Sequence, residues 1–550
     1  QPLSFVVEAQ SFVSWMMEFL VANLCPSSAF HRRLVACDLF LHLLLAFTVP
    51  DKPGFTLPED SVLLRPELLP DPEAVTGLRY QLSTVPCTQL FSTDMTQALL
   101  NCMMDSYDDV RSSSFRLLSL YGDRLPGLET AASIGPLFSS ALKLCDSPKL
   151  RETDAGALVG CLIFRKYVRN GSLLLKEMNF STFACSFVEG SNIPADDRCL
   201  TFFELLLQHL EEKMNANDRM EWKEARDLDK MVPVHGVMTM LRYMVGTLRL
   251  EGSSTSRVPS TGVSSVVKSA ATHDVPLGAP SHLTSWRSTM ERLITLCKRC
   301  ADLAQRVIGS TPHGDKGLPA DFEVGGGGLR KPRAYQQRKD REVGGGNGLE
   351  GGAAVVAEVE EPQLEEESGR GWEVDCRGHV IVPSASSSSA QESTIQILKA
   401  KEFVIKGWLT IKEISLLLGT MVEHLPIDSS STHIVSATQT ESSPAPFDGE
   451  QLFILSADTI DDIAQILLGN ILSTKHNGAI EKSYIGFLDV CKRCLRSENH
   501  AVRALPSSWL NYLLDLSTHP TRTVLRRSAG LPFCLLAILR AEPAGYPAVL

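Results

Sequence analysis

Arg526 and Arg527 stand side by side ahead of Ser528, Ala529, Gly530, Leu531 and Pro532, and this run holds the strongest chemical signal in the chain. Guanidiniums stay charged at every physiological pH and present planar forks of donors that match phosphate or carboxylate. The small residues that follow let another backbone approach closely. Pro532 has no N–H, so inside a helix it leaves the Ser528 carbonyl without its partner and should kink the chain there. The run is therefore expected to contact RNA or an acidic partner. On a helix the two arginines diverge by about 100°, so one can reach a phosphate while the other pairs with protein. The structural alternative is that both bridge carboxylates on neighbouring helices.

Other residue patterns could suggest an enzyme. Cys297 and Cys300, and Cys491 and Cys494, form two CxxC pairs, a spacing that binds zinc in a compact setting. Both pairs lie within helical, apolar sequence, far apart in the chain, and are expected to be buried thiols. The glycine runs Gly325–Gly328 and Gly344–Gly346 follow no strand and lack the Lys-Ser ending of a phosphate loop. No Gly-rich turn with a downstream acidic ribose ligand supports S-adenosylmethionine binding. No nucleophile–base pair stands out, so no catalytic residue, cofactor or metal is assigned. Arg330, Lys331, Arg333, Arg338, Lys339 and Arg341 could grip RNA or serve as an import signal, but such tracts are most often solvated linker.

The elements that must position these residues are helices. The chain has 550 residues, 44% of them hydrophobic, and a formal net charge of −11. That charge opposes wholesale wrapping of nucleic acid, so any RNA contact has to be a local basic patch. Residues 481–550 carry nine Lys/Arg against five Asp/Glu, which makes them the place to look. The 14 cysteines are scattered through apolar stretches, as reduced thiols of an intracellular protein would be. No apolar run is long enough to span a bilayer.

Residues 1–308 read as a succession of helices, among them Phe12–Leu24, Arg32–Phe47, Ser112–Tyr121, Ile134–Leu144, Ala155–Tyr167, Leu200–Leu210, Val234–Leu248 and Leu283–Val307. In the first, Phe12, Met16, Phe19, Leu20 and Leu24 have the three/four spacing of a buried face. Strand-type alternation is scarce. Many helices with short breaks predict an all-α, armadillo/HEAT-like α-solenoid with degenerate repeats. Residues 309–393 are rich in Gly, Ser and charge and read as a disordered linker. Residues 372–382, richer in β-formers, could form a short ordered hairpin. From 394 to 550 the chain is helical again. Val404, Trp408, Ile411, Ser415, Leu418, Val422 and Leu425 alternate steps of four and three, and Ile405, Ile414, Leu417 and Met421 widen the stripe. That helix should be largely buried and should stop at Pro426.

Three blocks in this last region carry a resemblance. Trp408 to Gly419 resembles the W-x-x-x-K-E-x-S-L-L-L-G segment of the THADA family. Lys475 to Lys482 is similar to its K-H-x-G-A-x-E block, and Arg526 to Pro532, with Pro543 after Glu542, to its R-R-S-A-G-I/L-P … E-P hallmark. Weaker similarity reaches Pro26–Arg33, and the blocks look closest to plant or algal members. The chain departs from the family in its Gly-rich insertion and in its length, which suggests a fragment. The resemblance implies a non-catalytic helical adaptor that partners a separate tRNA 2′-O-methyltransferase, acting on nucleotide 32 of the anticodon loop. It implies a cytosolic protein whose partners are that enzyme and tRNA, with neither DNA nor membrane among them. A protein-only HEAT scaffold for transport or signalling complexes is the competing expectation, and a metal-dependent enzyme a third.

On residues alone, Trp408 is expected in the core. Lys412 and Glu413 are adjacent, do not face one another on a helix, and are expected to pair between helices. His476 and Glu481 are placed at a helix start after a break at Lys475–Gly478, with His476 as a hydrogen-bonding loop residue.

Overall fold

A computed structural model describes residues 2–47, 90–121, 124–179, 181–219, 231–248, 280–310, 373–374, 380–381, 388–428, 453–474, 477–518 and 530–543. Its helices are α1 (Pro2–Asn23), α2 (Phe30–Phe47), α3 (Thr93–Cys102), α4 (Asp108–Leu120), α5 (Ala131–Cys145), α6 (Leu150–Ile163), α7 (Ala195–Asp218), α8 (His235–Thr247), α9 (Pro280–Ser310), α10 (Ser388–His424), α11 (Ala457–Ser473), α12 (Asn477–Leu495), α13 (His500–Thr518) and α14 (Gly530–Ala541). A π-helical turn, Phe164–Arg169, continues α6. The even-numbered helices pack in succession: α2 on α4, α4 on α6, α6 on α8, and α12 on α14. Arg242 of α8 reaches Glu413 of α10, and Gly419 of α10 abuts Gly486 of α12. On the other side α1 meets α3, α7 meets α9, α9 meets α11 and α11 meets α13, while Phe138 of α5 packs on Phe202 of α7. Two layers of helices around one apolar core make an α-solenoid.

Residues 1–316 and 394–550 form one compact unit, and 317–393 a second. In the second, β3 (Glu373–Val374) and β4 (Val380–Ile381) pair antiparallel, within the stretch expected to form a hairpin. Of the expected linker 309–393, residues 309–310 end α9 and 388–393 begin α10, while, these two strands apart, its other residues, the basic tract among them, lie outside the described residues.

Two expectations are corrected. The buried face of α1 is Val13, Met17, Leu20 and Leu24, whereas Phe12, Trp15 and Phe19 are exposed at 51%, 57% and 43%. The helix is apolar nearly all round, so spacing offered two stripes, and contact with α2 and α3 chose the other one. Strands also interrupt the helices: β1 (Leu173–Met178) pairs antiparallel with β2 (Cys185–Glu189), with an irregularity between Leu175 and Glu177. Leu, Lys, Glu and Met favour helix locally. Here Asn179 closes a turn by accepting from the backbone N–H groups of Ser181 and Thr182, and Leu173, Leu175 and Phe187 turn inward.

Candidate functional site

Helices α10, α12 and α14 hold the residues singled out by the sequence. The stripe on α10 is buried as expected from Ile411 to Leu425, Ile405 is half-buried, the side chain of Val404 lies outside the described residues, and the helix ends before Pro426. Trp408 is half-buried against Ala304, Ile411 and Ala479. Ser415 sits at the centre of a polar chain that crosses four helices. Its Oγ lies 2.8 Å from that of Ser483 and accepts from Asn470 Nδ2 at 3.3 Å. Asn470 Oδ1 in turn accepts from Gln305 Nε2 at 2.9 Å. One turn along, Gly419 and Gly486 let α10 and α12 touch backbone to backbone: a Cβ on Gly486 would lie 2.2 Å from the Ser415 carbonyl oxygen. The small residues of this segment are joint residues.

Glu413 is fully buried and accepts from Arg242 Nε at 3.1 Å. Its other oxygen lies 3.0 Å from Lys412 Nζ. The inter-helix pair expected for this segment is present, with one correction: the adjacent lysine also bends its long stem back to the same carboxylate. Burial acts to raise the Glu413 pKa, but Arg242 and Lys412 together hold it below the usual carboxylate value. A buried carboxylate flanked by two cations that it already engages is a structural hub rather than an acid or base.

The same device recurs along the even-numbered layer. Arg33 pairs with Asp105 at 2.6 Å, and Arg111 with Asp154 at 2.9 Å and with Asp108. Asp154 also accepts from Tyr243, whose ring lies under Arg242. Nearby, His235 opens α8 completely buried, and neither ring nitrogen has a hydrogen-bond partner among the described residues. Burial pulls its pKa down to about 4.

Arg526, Arg527, Ser528 and Ala529 lie outside the described residues, as do Lys475 and His476. Glu481 is exposed on α12, near the helix start expected for it. Gly530, Leu531 and Pro532 open α14. Gly530 is buried, and a Cβ there would lie 2.1 Å from the Ile471 carbonyl oxygen, so the close backbone approach expected of this run is present. The kink is not. Pro532 stands in the first turn of α14, where a missing N–H costs no helical hydrogen bond.

Cys297, Cys300, Cys491 and Cys494 are buried thiols, and burial raises the pKa of each. Among the described residues no group of three or more His, Cys, Asp or Glu stands where it could hold a metal ion. A polar groove between α7 and α9 is lined by Asp197, Glu204, Thr289 and Arg292. Its acids are already engaged, since Arg292 pairs with Glu204 and Glu211 and His282 with Asp197. No helix among the described residues is long and apolar enough to cross a membrane.

Sequence reasoning missed the solvent face of α12. Lys482, Asp489, Arg493 and Arg496 recur at i, i+7, i+11 and i+14, a spacing that puts them on one side of the helix, with Lys492 beside them. The signal was present in the sequence, but it was absorbed into a regional charge count.

These features define a class: an α-solenoid whose marked residues join helices and leave a basic face free. Residues 288–550, a little under half of the chain, match the family model described as THADA/TRM732, DUF2428, so this region is a THADA/TRM732 domain. It is 23% identical over 454 residues to the tRNA (32-2′-O)-methyltransferase regulator THADA of Canis lupus familiaris, covering 81% of this chain and 20% of the relative. Against the Homo sapiens protein of the same name it is 20% identical over 542 residues, 97% of this chain and 23% of the relative. The regulator trm732 of Schizosaccharomyces pombe is 22% identical over 160 residues, 29% of this chain and 9% of the relative. The chain thus spans about a fifth to a quarter of the length of the curated relatives it matches over most of its own length. No solved structure matches.

Proposed function

We propose that this chain acts as a non-catalytic adaptor in tRNA 2′-O-methylation at nucleotide 32, working in the cytosol with a separate methyltransferase. The family match over 288–550 carries this reading, together with the names of the relatives as methyltransferase regulators. The residue chemistry agrees with it, because Arg242 of α8 and Glu413 of α10 are engaged with one another in joining helices. The Arg526–Pro532 run is proposed to contact tRNA or the enzyme. Of its described residues, Gly530 packs against the Ile471 carbonyl. Replacing both, Arg526→Ala with Arg527→Ala, should abolish nucleotide-32 methylation in cells while the protein stays folded and expressed. Intact modification in a stably expressed double variant would remove the assignment. Co-purification tests the partners: a methyltransferase and tRNA should accompany the wild-type chain.

A further inference from the structure

The basic residues of the even-numbered layer have two fates. Arg33 is taken up by Asp105, in the loop that leads into α4, and Arg111 and Arg242 by carboxylates of α6 and α10. Those of α12 are left outward. Lys482 and Lys492 contact only acids of their own helix, Glu481 at 3.7 Å and Asp489 at 3.1 Å, and such surface pairs hold little energy. Arg496, just past the helix end, is exposed. Neither it nor Arg493 makes an ion pair or hydrogen bond with any described residue.

Arg493 is the informative one. It is half-buried, and its Nε is shut off from water with no acceptor among the described residues. Burial holds its guanidinium below the usual arginine range, and Glu423, the carboxylate that acts on it most, stands beyond ion-pair distance. A cation drawn partly out of water without a counter-charge costs stability in the free protein. An arriving anion would offset that cost. The bland explanation is that Lys492 and Arg493 complement the dipole at the C-terminal end of α12. It accounts for neither Lys482, near the other end, nor the missing acceptor of Arg493.

We propose that the solvent face of α12, formed by Lys482, Lys492, Arg493 and Arg496, binds the phosphate backbone of RNA. The inference rests on the tRNA reading given under Proposed function and adds a surface separate from the Arg526–Pro532 run. The row from Lys482 to Arg496 is ~21 Å long at 1.5 Å per residue, enough to follow several consecutive phosphates. Flanking Ile485 and Leu488 offer no acceptors, and the one carboxylate in the row, Asp489, is half-buried and among the described residues engages Lys492 alone. Recognition would be of backbone charge, independent of base sequence.

The test is binding of a labelled tRNA transcript to the full chain across a salt series, with thermal melting in parallel. Lys482→Ala, Lys492→Ala and Arg496→Ala combined should weaken binding at least about tenfold at low salt. The combination should also reduce the slope of log affinity against log salt by about 2 to 3, near one for each phosphate no longer neutralised. Arg493→Met should weaken tRNA binding while its melting temperature stays level or rises, the reverse of what a purely structural arginine would show. If the triple variant misfolds, the charge-keeping pair Lys482→Arg and Lys492→Arg should bind as wild type does. Wild-type affinity and salt slope in a folded triple variant would overturn the surface assignment while leaving the tRNA reading intact. Displacement by poly-glutamate of a protein partner, with no competition from tRNA, would overturn it in favour of an acidic-protein dock. A wild-type chain with no affinity for tRNA would take down the tRNA reading as well.

Discussion

The joints between helices are built differently at the two ends of the even-numbered layer. From α2 to α10 they are charged: Arg33 with Asp105, Arg111 with Asp154, Arg242 with Glu413. Between α10 and α12 the joint is close-packed, with Gly486 against the Ser415 carbonyl, and Gly530 of α14 comes equally close to the Ile471 carbonyl of α11. Where carboxylates do the joining, arginines are occupied. Glycine contacts occur in the charged stretch too, Gly160 of α6 against Met240 and Gly236 of α8 against the Cys145 carbonyl, so what sets α12 apart is that its cations reach solvent. Segment α10 belongs to both regimes, with Glu413 on its charged side and Ser415 and Gly419 on its packed side.

The largest expected effect comes from breaking the charged joint at its most buried point. Glu413→Ala strands Arg242 and Lys412 without their shared carboxylate. It should cost about 3–5 kcal/mol in chemical denaturation, the range for opening a buried ion pair. Replacing the pair together, Glu413→Leu with Arg242→Met, should recover much of that loss if the joint needs neutrality more than charge. Next comes the packed joint. Gly486→Val places a side chain where even a Cβ meets a carbonyl oxygen at 2.2 Å, so the helices must separate. The expected loss is about 3 kcal/mol, at the upper end for an overpacked core, and wild-type melting would show that the crossing is not tight.

The smallest effect at neutral pH belongs to His235, beside the charged joint. Its pKa in the folded chain is about 4, against an ordinary value of 6.5. The unfolded chain therefore takes up a proton that the folded chain refuses. The stabilisation is complete above about pH 6.5 and is lost as pH falls towards 4, by up to ~1.4 kcal/mol per pH unit. His235→Leu should flatten that part of the stability–pH curve by about one proton. An unchanged slope would mean that the imidazole is not held neutral in the fold.

Much of this organisation was legible in the residues. The α10 stripe could be read because its apolar positions keep a helical period and polar residues mark the other side, until Pro426 ends it. Gly530 could be read as a close approach because nothing else in that run explains three small residues together. Helix α1 could not, since Phe12, Val13, Trp15, Met16, Met17, Phe19 and Leu20 offer two apolar stripes and only the neighbouring helices choose between them. The β1–β2 hairpin was hidden because Leu173 to Met178 are helix formers locally, and long-range burial overrides a propensity of a few tenths of a kcal/mol per residue. Pro532 was placed inside a helix because an apolar run carries no mark of where its first turn begins.

The sequence by itself determined the succession of helices, the marked blocks of the THADA family and the local excess of basic charge near the C-terminal end. These depend on period, residue type and composition, which survive without coordinates. Tertiary structure decided which cations are occupied. Arg33, Arg111 and Arg242 look no different in sequence from Arg493 and Arg496. They differ because an ion pair needs a carboxylate within about 4 Å, and distances between helices many residues apart are set by packing alone.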